Sequence, residues 1–359
     1  MKCRIAALYL ACVLATATWA AAQTYTITDL GTLKGDNESS GFWINNLGDV
    51  VGCSDTQSSL GYPCTGLMPG QHAFLWSASG GMKDLGTLSG ATVSGAIGIN
   101  DSGTVVGYSN MKGQPATNFV AVQWSSTGVM SKLGTLSGGS SSSAFEINSS
   151  GEIAGDSFLA NGNVNATSWT NQKIKNLGSL PGAIFTAGLD INDRGHIVGE
   201  SVFGYGPPFT SHAFLWNGTT MSDLGTLEGG VTSIANAVNT AGIVVGQSDG
   251  ASTNGLWHAV KWGTAGRIKD LGVLKGGTYS VAFGINDSNV VVGYANTSTN
   301  AAHAIVWTGS GGVQDLNDLI LANSGWTLIN ANAINNLGQI TGYGSKNDHN
   351  HAFVLTPVN

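Results

Sequence analysis

The chain has 359 residues, 42% of them hydrophobic and 10% charged, so it can bury a core yet carries far fewer charges than the ~25% of an average globular domain. Fourteen Lys and Arg stand against 21 Asp and Glu, a net charge of -7 with no basic cluster, which excludes the concentrated positive surface that nucleic acid demands. The 53 glycines against 7 prolines fit many tight turns and lack the every-third spacing of collagen.

Residues 1–22 have the layout of a secretory signal: Lys2 and Arg4, an apolar stretch from Ile5 to Leu14, and Ala20-Ala21-Ala22 as a cleavage site. No other apolar run approaches the ~20 residues that span a bilayer, so the chain is not expected to span a membrane. Cleavage near Ala22 places the mature protein, residues 23–359, outside the cell or in a periplasm. It also removes Cys3 and Cys12 and leaves Cys53 and Cys64, 11 positions apart, as a candidate disulfide in an oxidising compartment.

The mature chain is repetitive. Asp-Leu-Gly-Thr-Leu begins at Asp29, Asp84, Asp223 and, with Val, Asp270, with relatives at Lys132, Asn176 and Asp315. An Ile-Asn turn leading to Val-Val-Gly recurs with its Asn at 45, 100, 148, 192, 239, 286 and 335. His-Ala-Phe-Leu-Trp stands at His72–Trp76 and His212–Trp216, with variants at His258–Trp262, His303–Trp307 and His351, and degenerate copies at Val120 and Asn165. From His72 to His351 is 279 positions, six intervals averaging 46.5.

Each copy reads as four short strands rich in Val, Ile, Phe and Trp, the second as Gly95–Asn100, Thr104–Ser109, Val120–Trp124 and Met130–Leu136. The link Asn100-Asp101-Ser102-Gly103 supplies the positive backbone angle that a hairpin needs. A ~40–50 residue unit of four antiparallel strands marks a β-propeller blade. The expected fold is therefore all-β, a single seven-bladed β-propeller domain over residues 23–359. The last copy stops one strand short and Tyr25–Leu33 has no preceding copy, so the N-terminal strand is expected to close the last blade, hiding exposed sheet edges. Small residues (Gly41, Ala96, Ala144, Gly188, Ala235, Ala282, Ala331) precede each turn by four positions. The residues two further on, Glu146 and Asp190 among them, are expected on the same face by strand alternation.

The recurring His-Ala-Phe-x-Trp, Asp-Leu-Gly-Thr-Leu and Ile-Asn-x-x-Gly-x-Val-Val-Gly resemble the HAF-repeat family of extracellular bacterial proteins, over essentially the whole mature chain. The resemblance implies export and a repetitive architecture, and it brings no catalytic residues with it. Val120, Asn165 and Leu355 depart from the signature.

No cofactor and no metal site follow from these residues. If His72, His212, His258, His303 and His351 occupy equivalent third strands, neighbours stand roughly 15 Å apart, too far to share an ion whose ligands lie at ~2 Å. They read as structural hydrogen-bonders, acting with the Asp of Asp-Leu-Gly (Asp84 in the first copy) and the strand-end Trp. Gly246-Gln247-Ser248-Asp249-Gly250 matches a nucleophile elbow, but that motif needs a strand turning into a helix, and Gly-x-Ser recurs in other copies. Glu146 and Asp190, in the inner slot of adjacent copies, are weak catalytic candidates: an acidic pair in the central channel, solvated, cation-binding or carrying acid–base chemistry. The variable links hold Tyr62, Phe203, Tyr205, Phe209 and Trp257, aromatic candidates for a binding face.

The leading reading is a secreted, non-catalytic binding or scaffolding module, a monomer by preference, for a polysaccharide or a cell-surface protein. Two others stay open: a carbohydrate-active hydrolase or lyase using the acidic pair, and a purely structural envelope protein.

Overall fold

The computed structural model describes residues 25–55, 64, 70–114, 118–204, 206, 210–264, 266–309 and 312–358. The expected signal segment lies outside them. The described chain is all-β, with two short 3-10 turns at Ala251–Thr253 and Leu316–Leu319.

The second repeat shows the unit: Ser94–Ile99, Val105–Asn110, Phe119–Trp124 and Met130–Lys132, hydrogen-bonded in sequence order as an antiparallel sheet. First strands of successive repeats pack on one another in a cycle, with Trp326–Ile334 against Glu38–Ile44 completing it, so the first strand is innermost. Cores form between neighbouring repeats. Ala96, Ile99, Val105, Val122 and Trp124 pack on Val51 and Ala73 of the repeat before, burying the Trp124 ring completely.

The molecule is a β-propeller, but the seven separate blades expected from the repeat count are not found. Five blades stand as separate four-stranded sheets, whereas repeats three and four share one eight-stranded sheet running from Ser142–Ile147 to Met221–Asp223. The join is a parallel bridge between Val164 and Phe185, where Val164 N–H donates to the Ile184 carbonyl at 3.1 Å. A local substitution accompanies it. At five other junctions a serine on the incoming first strand links the two repeats: Ser94 Oγ accepts the Ala73 N–H and donates to the Gly86 carbonyl. Ser39, Ser142, Ser233 and Ser280 do the same. At the fused junction the residue is Thr186, whose hydroxyl bonds instead to Ser201 Oγ at 2.9 Å.

The terminal strands meet. Tyr25–Gly31 pairs antiparallel with His349–Pro357, with Asp29 opposite Phe353 and Gly31 opposite Ala352.

The side-chain faces of the first strands also differ from the expected alternation. Every first strand carries a β-bulge between the small residue and the position two further on, as between Ala144 and Glu146. Ala144 pairs with Gly155 and Glu146 with Ala154; since Gly155 and Ala154 are consecutive, the two slots face opposite sides of the sheet. The glycine opposite the bulge is sterically required. At Gly52, Gly107 and their five equivalents a Cβ would lie 1.9–2.1 Å from a first-strand carbonyl oxygen.

Candidate functional site

The Ile-Asn turns converge on one end of the axis and explain the recurring asparagine. Asn100 Oδ1 accepts the Ser102 and Thr104 N–H groups and so closes its own turn. Its Nδ2 donates to the Asn148 carbonyl of the next repeat at 3.1 Å. The same link runs from each turn to the next, and Asn335 returns to the Asn45 carbonyl at 2.9 Å. Seven turns thus form a closed hydrogen-bonded girdle. The next residue adds an outer ring, with Asp101 accepting from Asn46 N, Asp193 from Ser149 N and Asp287 from Thr240 N.

Inside the girdle lies an axial cavity of about 160 Å³, with Trp43, Glu146 and Asp190 in its wall. Both carboxylates are buried, 3% exposed each, rather than facing open solvent. Asp190 bridges two repeats: Oδ1 accepts its neighbour Ile191 N–H at 2.8 Å and Oδ2 the Val238 N–H at 2.7 Å. Burial pushes its carboxyl up to about 7, and the two amides hold it from rising further. Burial first, and then the charge of Asp190, push Glu146 well above the ordinary carboxylate range. Glu146 Oε2 has no hydrogen-bond partner. It lies where a side chain at Gly98 would point, 2.6 Å from the position of a Cβ there, so that glycine makes room for the carboxylate.

The opposite end carries the variable links. Cys53 and Cys64 form a disulfide with Cα atoms 5.9 Å apart. Phe203 packs partly buried into the core of repeat four and meets the His212 ring edge-on at 5.5 Å, which makes it an anchor for its loop. Tyr62, Tyr205 and Phe209 lie outside the described residues. Trp257 is 43% exposed, and its Nε1 donates to Thr232 Oγ1 at 3.1 Å. With Leu256, Tyr279 and Tyr294 it lines an open cleft of about 330 Å³. The Tyr294 ring is braced by Phe283, stacked at 5.7 Å, and by Tyr279, edge-on at 5.8 Å. Sequence reading missed both tyrosines. A partial signal was available at Tyr279, where the position before the first-strand serine is Glu38, Val93, Ser141 or Thr232 in four other copies and is aromatic again at Phe185, before Thr186.

The repeated histidines pair with the repeated aspartates across third and fourth strands. His72 Nδ1 meets Asp84 at 2.9 Å, His212 meets Asp223 at 2.6 Å and His258 meets Asp270 at 2.8 Å, while His303 pairs with Asp315. His351 meets Asp29 of the N-terminal strand at 3.0 Å. In the first four pairs the other aspartate oxygen accepts the N–H two residues on, as Asp84 does from Gly86, whereas Asp29 Oδ1 meets both His351 and the Gly31 N–H and Oδ2 takes Lys346. Where His is missing the partner changes too: Asn165 donates to Asn176 at 2.9 Å, and Val120 accompanies Lys132. The tryptophans stand apart from this network. Trp124 Nε1 donates to the Leu85 carbonyl, Trp262 and Trp307 are buried between repeats with no indole partner, Trp76 packs against the first-repeat core, and Trp216 lies under Lys175.

Ser248 of the elbow-like motif is fully buried. Its Oγ accepts the Leu227 N–H and has the Thr232 and Asp249 carbonyls at 3.0 and 2.9 Å as acceptors for its one proton. Ser54, Ser109 and Ser157 accept the equivalent leucine amide in their repeats, so Gly-x-Ser recurs as a structural clip. Among the described residues no three His, Cys, Asp or Glu side chains converge to hold a metal ion, and no helix is long and apolar enough to cross a membrane.

Fold and geometry together define a β-propeller with a buried acidic axial well at one end and an aromatic cleft at the other. No protein-family model matches the chain, and no curated protein does. Among solved structures it is similar to the extracellular domain of BT4673 from B. thetaiotaomicron, with a TM-score of 0.54 at 9% identity over 94% of this chain and 40% of that one. It is also similar to virginiamycin B lyase from Staphylococcus aureus, with a TM-score of 0.52 at 12% identity over 93% and 100% of the two chains. A puromycin hydrolase gives 0.52 at 12% identity over 88% of this chain and 51% of its own. At such identities the likeness is one of fold.

Proposed function

We propose that the chain is an exported, non-catalytic binding module that holds a polysaccharide on its loop face. The Trp257 cleft carries this reading. A tryptophan left 43% exposed yet fixed through its Nε1 to Thr232 presents a flat apolar ring at low ordering cost, the property that favours binding through preorganisation. Tyr279 and Tyr294 extend the aromatic wall and carry hydroxyls that suit the alternating apolar and polar faces of a sugar ring. Export is supported by the signal-like residues 1–22 and by the Cys53–Cys64 disulfide. The repeated motifs keep the HAF-repeat resemblance as part of the same reading.

A hydrolase built on Glu146 and Asp190 fits less well. Both oxygens of Asp190 are committed to backbone amides, and both carboxylates are buried beneath the asparagine girdle.

The test is a glycan array and a pull-down on insoluble polysaccharides. Saturable binding is expected, weakened about tenfold or more by Trp257→Ala, a loss of roughly 1.4 kcal/mol, with unchanged thermal stability. Absence of saturable binding by the intact protein rejects the proposal in favour of a purely structural protein. Turnover abolished by Glu146→Gln would reject it in favour of an enzyme.

A further inference from the structure

The axial well is separate from the loop face and has its own chemistry. Its wall and rim hold Glu146, Asp190, Asp101, Asp193 and Asp287, and none of its described lining residues is Lys, Arg or His. Walls of low polarizability around charges of one sign focus the field and draw counter-ions inward. A second observation points to a ligand. Glu146 Oε2 is buried in the well without a hydrogen-bond partner, a state that costs free energy unless a proton or a cation compensates it. That oxygen packs against Gly98, in the place a Cβ there would take. At about 160 Å³ the cavity far exceeds the roughly 10–15 Å³ that one ordered water needs.

We infer that the axial well is a cation site, in which a hard divalent ion sits between the Glu146 and Asp190 carboxylates and keeps much of its water. Two carboxylates cannot complete a coordination shell, in keeping with the lack of three converging acidic or imidazole groups among the described residues. Magnesium is commonly held by one or two carboxylates with several waters retained, and calcium accepts waters among its six to eight oxygen ligands. Asp190 keeps both its amide bonds and adds its charge to that of Glu146 in holding the ion. The girdle carbonyls are already engaged by the neighbouring asparagine side chains, so they frame the site.

Terbium is the probe, because Trp43 lines the same cavity and sensitises the emission of a lanthanide bound there. Titrating the whole protein with Tb³⁺ is expected to give saturable tryptophan-sensitised emission that excess CaCl2 or MgCl2 displaces. Glu146→Gln is expected to weaken binding about tenfold or more, in the range seen when groups supporting a metal are removed. Trp43→Phe is expected to cut the emission while a calcium-induced rise in melting temperature persists. Emission that does not saturate, that calcium leaves unchanged, or that a folded Glu146→Gln variant retains in full overturns the site. Should that variant fail to fold, saturation and displacement on the unaltered protein decide. Loss of glycan binding would bear on Trp257 and leave this result intact.

Discussion

Asp156 is buried on the second strand of repeat three, and its Oδ1 accepts the Ser143 N–H at 3.0 Å. Burial pushes its carboxyl up to about 7, with the Ser143 bonds only partly opposing. Glu200, at the equivalent position of repeat four, is raised by burial as well. With Glu146 and Asp190, repeats three and four thus hold four carboxyls whose folded values exceed the ~4 of an unfolded chain. Such groups contribute stability that is fully present below the unfolded value and lost as pH rises through the folded one. The melting temperature is therefore expected to fall between pH 5 and pH 8. Asp156→Asn keeps the acceptor for Ser143 and removes the charge, so it is expected to stabilise by on the order of 2–4 kcal/mol at pH 8 and by little at pH 4. Thermal melts across that range check it, and a variant with the parent's pH profile would refute it. Asp190 is the contrast. Both its oxygens receive amide protons, and an asparagine offers only one acceptor atom, so the same kind of substitution there leaves an amide unmet.

Strands hold together through side chains that serve backbone groups at the seams. Ser280 is fully buried; it accepts from Ala259 N–H at 2.9 Å and donates to the Gly272 carbonyl at 2.8 Å. Ser280→Ala leaves a buried donor and acceptor without this partner, and a loss of roughly 1–3 kcal/mol is expected in urea unfolding. A midpoint within a few tenths of a molar of the parent would count against the clip. At this scale the strand positions and the His–Asp partnership were legible, because both rest on patterns repeated at fixed spacing. The bulge was not. One extra residue, such as Phe145 between Ala144 and Glu146, leaves the hydrophobic pattern nearly unchanged while turning the following side chain to the other face. The glycine of Val-Val-Gly was the available sign, since an isolated glycine inside a strand signals a close backbone approach. Fusion of repeats three and four was not legible either: the join is one parallel bridge, Val164 to Phe185, and the equivalent pair Ser211 and Thr232 forms a like bridge at the next junction without merging the sheets.

Over the whole molecule, cohesion depends on links between residues far apart in sequence. Asn335 to Asn45, His351 to Asp29, Ala352 to Ser39 and Lys346 to Asp29 all bridge the two ends of the described chain. Burial opposes ionisation of Asp29, but Lys346, the Gly31 amide and His351 together hold its carboxyl below the ordinary range, so the charge at the junction is retained. Tyr25 and Leu30 add buried apolar surface to the same strand, 4% and 5% exposed. This pairing was legible because the last copy lacks the strand type that Tyr25–Gly31 supplies; the division into sheets was not, since repeats of similar sequence merge or separate on single contacts. Removing Tyr25–Gly31 strips one strand from a four-stranded sheet and exposes the edge of His349–Pro357. The melting temperature is expected to drop by more than about 10 °C, since each kcal/mol moves a domain of this size by only a few degrees. Shortening the exposed Asn161-Gly162 turn is expected to cost far less. A synthetic peptide covering residues 25–33, added to the truncated protein, is expected to restore most of the loss, because an exposed edge accepts a matching strand. Restoration requires the rest of the ring to persist with its gap open, so a truncated protein that melts like the parent, or one that the peptide leaves unchanged, would separate the ends of the chain from the stability of the whole.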